Sequence, residues 1–297
     1  MPFNPSLAVL YGCFIRAAYT MYGTNPKNLT PAPSLDFPAG YELTAWIQMQ
    51  DFFVFGSTGP VFYGFIAHSA RDANLAILAI RGTDPNNDLE WWDDISSLGM
   101  TPFRVPNCGN VGMGWEKIYE TLEVVERPPA EVGGAPRSLK AVGSFAAQVA
   151  EHVQRHAAVG GTAAPSPTYH TIEVTGHSLG AALATLYAAE NALTHKVPTV
   201  DALYTFASPK IGDSIFVDKF NSLKLNSWRI INQQDIVGIL PPLLTYRRVD
   251  TEVTYDSRGK VAQSIGCCHD LTTYLHLIDP INPLDKNCQP SVLLVSR

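Results

Sequence analysis

The stretch from Thr171 to Glu190, TIEVTGHSLGAALATLYAAE, constrains this chain more than any other. A short apolar run, Ile172 to Val174, leads into Gly176-His177-Ser178-Leu179-Gly180, and an Ala/Leu-rich segment with helical spacing follows. This is G-x-S-x-G between a strand and a helix, the setting that lifts a serine hydroxyl to the tip of a sharp turn, a nucleophile elbow. Such a turn leaves no room for a Cβ two residues before or after the serine, and glycine stands at both places. Ser178 then occupies a strained backbone conformation at a helix N-terminus, where negative charge is favoured. Ordinary glycine-rich turns match the same five residues; the strand before and the helix after set this one apart.

The surrounding pattern is that of an α/β protein. From residue 170 onward, expected strands at Ala202–Phe206, Trp228–Asn232 and Val249–Tyr255 alternate with expected helices at Asp213–Leu223 and His269–Ile278. Alternation of this kind argues for a mostly parallel central sheet with helices on both faces. Earlier, residues 6–21 read as a helix, 22–45 as a wrapping loop, and Val61–Ala67 and Leu75–Ile80 as strands. Tyr41–Phe55 fits helix or strand, Gly112–Val125 and Ser138–His156 read as helices, and Val292–Val295 as a strand in the Pro-rich tail. With no internal repeat or linker, residues 1–297 are expected to form a single domain.

Composition narrows the classes. Hydrophobic residues are 46% and charged residues 16%, against roughly 25% charged in ordinary globular chains. A large core and a weakly charged surface follow. The net charge of −6 and the absence of a basic run argue against nucleic acid as a partner. No apolar run reaches the ~18 residues of a membrane span. The N-terminus lacks a basic segment before its apolar part, and Arg16 interrupts that part, so it reads as a helix and not a signal peptide. A soluble chain is expected, cytoplasmic or exported by a route without a signal peptide. Five cysteines without C-x-x-C spacing make a zinc site improbable and favour free thiols. One bridge from Cys288 to the Cys267/Cys268 pair is the alternative.

A serine hydroxyl needs a base to take its proton and a third group to orient that base. Behind an elbow of this kind the partners follow in the order carboxylate, then histidine, each on a loop after a later strand. Of the acidic residues after Ser178, Asp235 alone directly follows an apolar strand, in WRIINQQDIVGILPP. For the base, His269 and His276 remain. His269 opens the last expected helix from a loop and is preferred; His276 lies two turns further down. His177 is expected to pack beside the elbow, and His68, His152, His156 and His170 to have solvated or capping roles. The oxyanion needs donors: the backbone N–H of Leu179, after the nucleophile, and that of Thr83, where Arg81-Gly82-Thr83 ends an earlier strand.

Taken together, AILAIRGTDPNNDLEWWDD, VGMGWEKIY, IEVTGHSLGAALATLYA, LYTFASPKIGD, RIINQQDIVGILPP and CHDLTTYLHLID resemble, in order, the class 3 lipases, the fungal-lipase-like branch of the α/β-hydrolases. They span residues 75–279. The last motif also resembles plant acylhydrolases of that family, which act as phospholipases A1 or galactolipases. By motif position the resemblance implies Ser178 as nucleophile, Asp235 as acid, His269 as base, and Thr83 and Leu179 as oxyanion donors. It also implies a helical lid after Thr83, lined by Leu89, Trp91, Trp92, Ile95 and Leu98. The bland reading of that apolar stripe is a core-facing helix; two adjacent tryptophans favour an acyl pocket or lipid interface. The first 60 residues and the Pro/Gly loop at 127–137 match no motif of the family.

The implied reaction is hydrolysis of lipid carboxylic esters (a triacylglycerol lipase or esterase) with no cofactor and no metal. The implied partner is a lipid or other ester, with transient contact at a lipid interface. The alternatives are a phospholipase A1, a short-chain carboxylesterase, and a catalytically inactive binding module.

Overall fold

The computed structural model describes residues 2–50, 59–83, 99–129, 133–159, 170–249 and 251–290. Helix α1 (Pro5–Thr24) begins where the Asn4 side chain accepts from the Ser6 and Leu7 N–H groups, with proline at the first helical position. Strands β1 (Tyr41–Gln50), β2 (Pro60–Ser69) and β3 (Leu75–Ile80) follow. The segment that fitted helix or strand is therefore β1. It buries seven consecutive residues, so both its faces are covered and no alternation shows in the sequence.

A small hairpin, β4 (Met100–Pro102) with β5 (Asn110–Gly112), precedes α2 (Met113–Thr121), β6 (Glu123–Glu126), β7 (Arg137–Ser138) and α3 (Phe145–Val159). Then come β8 (Thr171–His177), α4 (Leu179–Leu193), β9 (Thr199–Phe206), α5 (Ser214–Ser222), β10 (Ser227–Asn232) and β11 (Thr251–Tyr255). Helices α6 (Ile265–His269) and α7 (Leu271–Ile278) end the ordered path to the site.

Among the described residues, nine strands form one sheet in the order β11-β10-β9-β8-β3-β2-β1-β6-β7. Strands β3, β8, β9, β10 and β11 are mutually parallel, while β2 runs against β3 and β1, and β6 against β1 and β7. All strands but β2 and β6 thus point the same way, and helices cover both faces. The side chains of β3 divide between them: Ala76, Leu78 and Ile80 join α2, α3 and α4 in one core, Ile77 and Ala79 join α1 and α7 in the other. Helix α4 is buried from Leu179 to Asn191, which accounts for its Ala-rich, all-round apolar sequence. Among the described residues no helix is long and apolar enough to cross a membrane.

Three expectations are corrected. The helix expected over Gly112–Val125 stops at Thr121, because Val124 and Val125 pair with β1 and the Gln148 side chain accepts the Val124 N–H at 2.9 Å. The helix expected from Ser138 starts at Phe145, after Gly143 takes a φ of 128° that a helix cannot accommodate. The last helix is two: Asp270 is extended and its side chain caps α7 by accepting the Thr272 N–H at 2.7 Å, so His269 closes α6 instead of opening a helix. The lid residues Leu89, Trp91, Trp92, Ile95 and Leu98, and the expected tail strand Val292–Val295, lie outside the described residues.

Two side-chain readings also change. Cys267 and Cys288 are joined in a disulfide, while Cys13, Cys108 and Cys268 are free. His68 and His152 are buried, not solvated. Both rings meet the Thr44 hydroxyl, at 2.8 and 2.9 Å, and His152 reaches Glu126 at 3.1 Å, tying α3 to the antiparallel end of the sheet.

Candidate active site

The elbow forms where β8 meets α4. Ser178 has φ 57° and ψ −124°, a left-handed conformation that costs a non-glycine residue about 1–3 kcal/mol. Its N–H donates to the Phe206 carbonyl of β9 at 3.0 Å, which fixes the turn from the neighbouring strand. The glycines have the task expected of them. A Cβ on Gly180 would lie 2.3 Å from the Ile80 carbonyl oxygen and 2.4 Å from that of Arg81. One on Gly176 would lie 2.2 Å from the Gly180 oxygen.

Three loops at the C-terminal ends of parallel strands bring the expected partners to this serine. Ser178 Oγ lies 2.9 Å from His269 Nε2, and His269 Nδ1 lies 2.8 Å from Asp235 Oδ2. All three residues are at most 4% exposed. Asp235 can only accept from the ring, so Nδ1 carries the hydrogen and the neutral ring leaves Nε2 to accept from the serine hydroxyl. His276, the other expected base, instead hydrogen-bonds the Asn282 carbonyl through Nδ1 at 2.8 Å and stays within α7.

Asp235 is held by more than the ring. The Tyr274 hydroxyl donates to Oδ2 at 2.6 Å, and the Val237 N–H donates to Oδ1 at 2.9 Å. Burial, with the Asp235 charge adding to it, pushes the Tyr274 hydroxyl pKa well up, so it remains a donor. The Asn232 N–H donates to Tyr274 Oη at 3.2 Å, and the Asn232 side-chain amide donates to the Cys268 carbonyl at 2.8 Å. One residue at the end of β10 thereby fixes both the tyrosine that holds the acid and the backbone beside the histidine.

A second network reaches the serine from below. His177 Nε2 lies 2.8 Å from the His269 carbonyl, and its Nδ1 lies 2.8 Å from Tyr19 Oη. A carbonyl only accepts, so Nε2 carries the hydrogen; the neutral ring then accepts from Tyr19 through Nδ1. Burial, reinforced by the adjacent His269 imidazole, holds the His177 pKa well below 6.5, in keeping with a neutral ring. Tyr19 in turn accepts the Gly82 N–H at 2.8 Å. The chain of bonds joins the expected oxyanion strand, the elbow and the base loop.

Arg81 completes the oxyanion strand. Its guanidinium is 2% exposed, donates to the Phe62 carbonyl at 2.9 and 3.1 Å and to the Gly82 carbonyl at 2.7 Å, and lies 3.6 Å over the Tyr22 ring. The Gly82 C=O and the Thr83 N–H belong to one planar trans peptide and point in opposite directions. Holding the carbonyl therefore aims the amide that sequence reasoning chose as an oxyanion donor. Thr83 is buried beside the elbow, and a Cβ on Gly82 would lie 2.9 Å from Ser178 Cβ. Leu179 opens α4, and the first N–H groups of a helix have no intrahelical acceptor.

Sequence reasoning placed Ser178, Asp235, His269, Thr83 and Leu179 at one end of the sheet, and the structure brings them together. It missed Tyr19, Arg81, Asn232 and Tyr274, and saw only packing in His177. Arg81 carried a faint signal, a lone cation at the end of an apolar strand. Tyr19 and Tyr274 carried none, because their use depends on α1 and α7 crossing the same face.

Comparison with known proteins points one way. The family model "Lipase (class 3)" matches residues 77–245. Among curated proteins, phospholipase A1-Igamma3 (chloroplastic) of Arabidopsis thaliana is 29% identical over 43% of this chain and 30% of its own length. Phospholipase A(1) DAD1 (chloroplastic) of the same plant is 24% identical over 91% of this chain and 70% of its own. The chain therefore spans between under a third and 70% of these two relatives. Among solved structures, the LIP2 lipase of Yarrowia lipolytica superposes with a TM-score of 0.58 at 19% identity, over 84% of this chain and 79% of that one, which shows a shared α/β-hydrolase fold.

Proposed function

Because the chain belongs to the class 3 lipase family, we propose that it hydrolyses carboxylic esters of lipids through an acyl-enzyme on Ser178. The observation that carries the reading is the continuous hydrogen-bonded line from Ser178 through His269 to Asp235 on a strained elbow. His269 takes the Ser178 proton as Oγ attacks the ester carbonyl, and Asp235 stabilises the imidazolium that forms. The tetrahedral oxyanion lies between the Leu179 and Thr83 amides; loss of one such donor slows turnover by roughly 10²–10³. His269 then protonates the departing alcohol. Water, deprotonated by the same histidine, repeats the sequence on the acyl-enzyme and releases the fatty acid.

Two substrate classes fit. Triacylglycerols and simple esters are the first. A phospholipase A1 activity is the second, favoured by the names of the two plant relatives. The test is a panel of p-nitrophenyl esters of graded chain length, a triacylglycerol emulsion and a phosphatidylcholine, with Ser178→Ala as the blank. Ester cleavage above that blank is expected, and the lipid giving the highest kcat/KM names the class. No hydrolysis of any member above the blank overturns the proposal.

A further inference from the structure

His269 closes an element that cannot hold itself in place. Helix α6 is five residues long, Ile265–His269, with Gly266 inside it. So short a helix forms too few internal bonds to offset the cost of starting one, and glycine weakens it further. Gln263, Ser264, Ile265 and Gly266 are exposed, so packing does not fix its first half either. The position of α6 is therefore set from outside. Its last carbonyls have no acceptor role within the helix. Those of Cys267, Cys268 and His269 accept instead from Thr273 Oγ1 at 2.7 Å, the Asn232 amide and His177 Nε2.

A covalent tie is added from the C-terminal side. The 3₁₀ turn Lys286–Cys288 meets the junction of α6 and α7 at three points that flank His269 on both sides. The Ala262 N–H donates to the Cys288 carbonyl at 3.0 Å, Cys288 is bridged to Cys267, and the Asp285 N–H donates to Thr272 Oγ1 at 2.9 Å. Ala262, Thr272 and Asp285 are half-buried, so water competes for both hydrogen bonds, and the bridge is the tie that water cannot replace. Neither cysteine belongs to the two hydrophobic cores. Cys288 is buried, but Lys286, Asn287, Gln289 and Pro290 around it are exposed, so a small local opening of this turn uncovers its sulfur.

We propose that the Cys267–Cys288 bridge is a redox-operated brace for the base. Closed, it holds His269 in line between Ser178 and Asp235; opened by a dithiol, it lets the base loop shift and slows acyl transfer. Cys267 and Cys288 are thus positioning residues that act through His269. A thiolate of the dithiol attacks Cys288 Sγ, the S–S bond breaks, and Cys267 leaves as a thiolate that takes up a proton. The second thiolate of the dithiol attacks the mixed disulfide and releases Cys288, which is protonated in turn. The dithiol is oxidised to its disulfide, the bridge is reduced by the same electron pair, and both protons of the dithiol end on the cysteines. A disulfide oxidant reverses the steps. The effect on turnover rests on the ester-hydrolase reading; the effect on the base loop does not.

The test reduces the full chain with dithiothreitol well below its melting temperature and removes the reductant without air. Iodoacetamide adducts counted by mass after unfolding report the bridge, and circular dichroism reports that the fold persists. Turnover of soluble p-nitrophenyl butyrate should fall on the order of tenfold in kcat at nearly unchanged KM, and oxidised glutathione should restore it. A bridge that served stability alone would leave kcat of the folded chain untouched. Amide deuterium uptake over residues 262–275 should quicken by about fivefold or more on reduction, with β9 unchanged. The Cys288→Ala chain should be slow from the start and indifferent to the dithiol; the reduced wild type gives the same reading if that variant does not fold. An oxidised chain with no turnover above the Ser178→Ala blank overturns the ester reading and leaves the exchange data to decide the brace. A native chain whose bridge resists the dithiol, a reduced chain that keeps its kcat, or unaltered exchange over 262–275 overturns the proposal.

Discussion

Replacing His177 with leucine keeps a side chain of similar bulk and removes both ring nitrogens. The His269 carbonyl and the Tyr19 hydroxyl then lose partners that sit at 2.8 Å in the native fold. Loss of the His177 N–H from the buried His269 carbonyl costs about 1–3 kcal/mol, whereas Tyr19 keeps the Gly82 N–H and loses one bond at about 0.5–1.5 kcal/mol; leucine's greater apolar area offsets about 1 kcal/mol of the total. At about pH 8 the variant should be less stable by ~0.5–3.5 kcal/mol, and turnover should fall as the His269 loop loosens.

The pH dependence gives a signature that a mere packing defect would lack. Burial holds the native His177 pKa well below the unfolded value of 6.5. Below that pH the unfolded chain binds a proton that the native chain refuses, so native stability falls by ~1.4 kcal/mol per pH unit from this group. Above it the ring is neutral in both states and contributes no slope. The variant lacks the group, so its deficit should shrink by about 2 kcal/mol between pH ~6.5 and ~5. His68, driven down to about 2 chiefly by burial, adds the same slope to both proteins and cancels. Urea unfolding of both chains across that range measures the difference. A deficit that is absent at about pH 8, or constant with pH, refutes the tautomer argument.

Three further outcomes follow from the same contacts. Tyr274→Phe removes one of the three donors on Asp235 and should cost about 1.5–3 kcal/mol, read as lower kcat with little change in KM and a lower urea midpoint. Arg81→Lys keeps a charge but cannot hold the Phe62 and Gly82 carbonyls together, so kcat should fall on the order of tenfold at unchanged KM for a soluble ester. Cys288→Ser opens a disulfide spanning 21 residues, which should lower stability by about 3 kcal/mol in urea; dithiothreitol should do the same to the wild type.

Much of this was legible beforehand, for a physical reason. An elbow forces glycines and a serine into fixed positions, and the order of parallel strands forces its partners to follow, so Ser178, Asp235 and His269 could be read in one dimension. Strand ends at Ile80 and Asn232 were visible because apolar runs stop there. Features set by non-local packing were not. The split at Asp270 depends on a side-chain cap that competes with helix continuation, and β1 lost its alternation by being covered on both faces. Tyr19 lies 158 residues from His177, and no periodicity links them.

The most direct test of the central claim is labelling of the intact chain with a fluorophosphonate, read by peptide mass. Covalent modification of the peptide bearing Ser178, lost in Ser178→Ala and strongly slowed in His269→Ala, is the predicted result. A chain that does not label, or that labels equally well without Ser178, contradicts it.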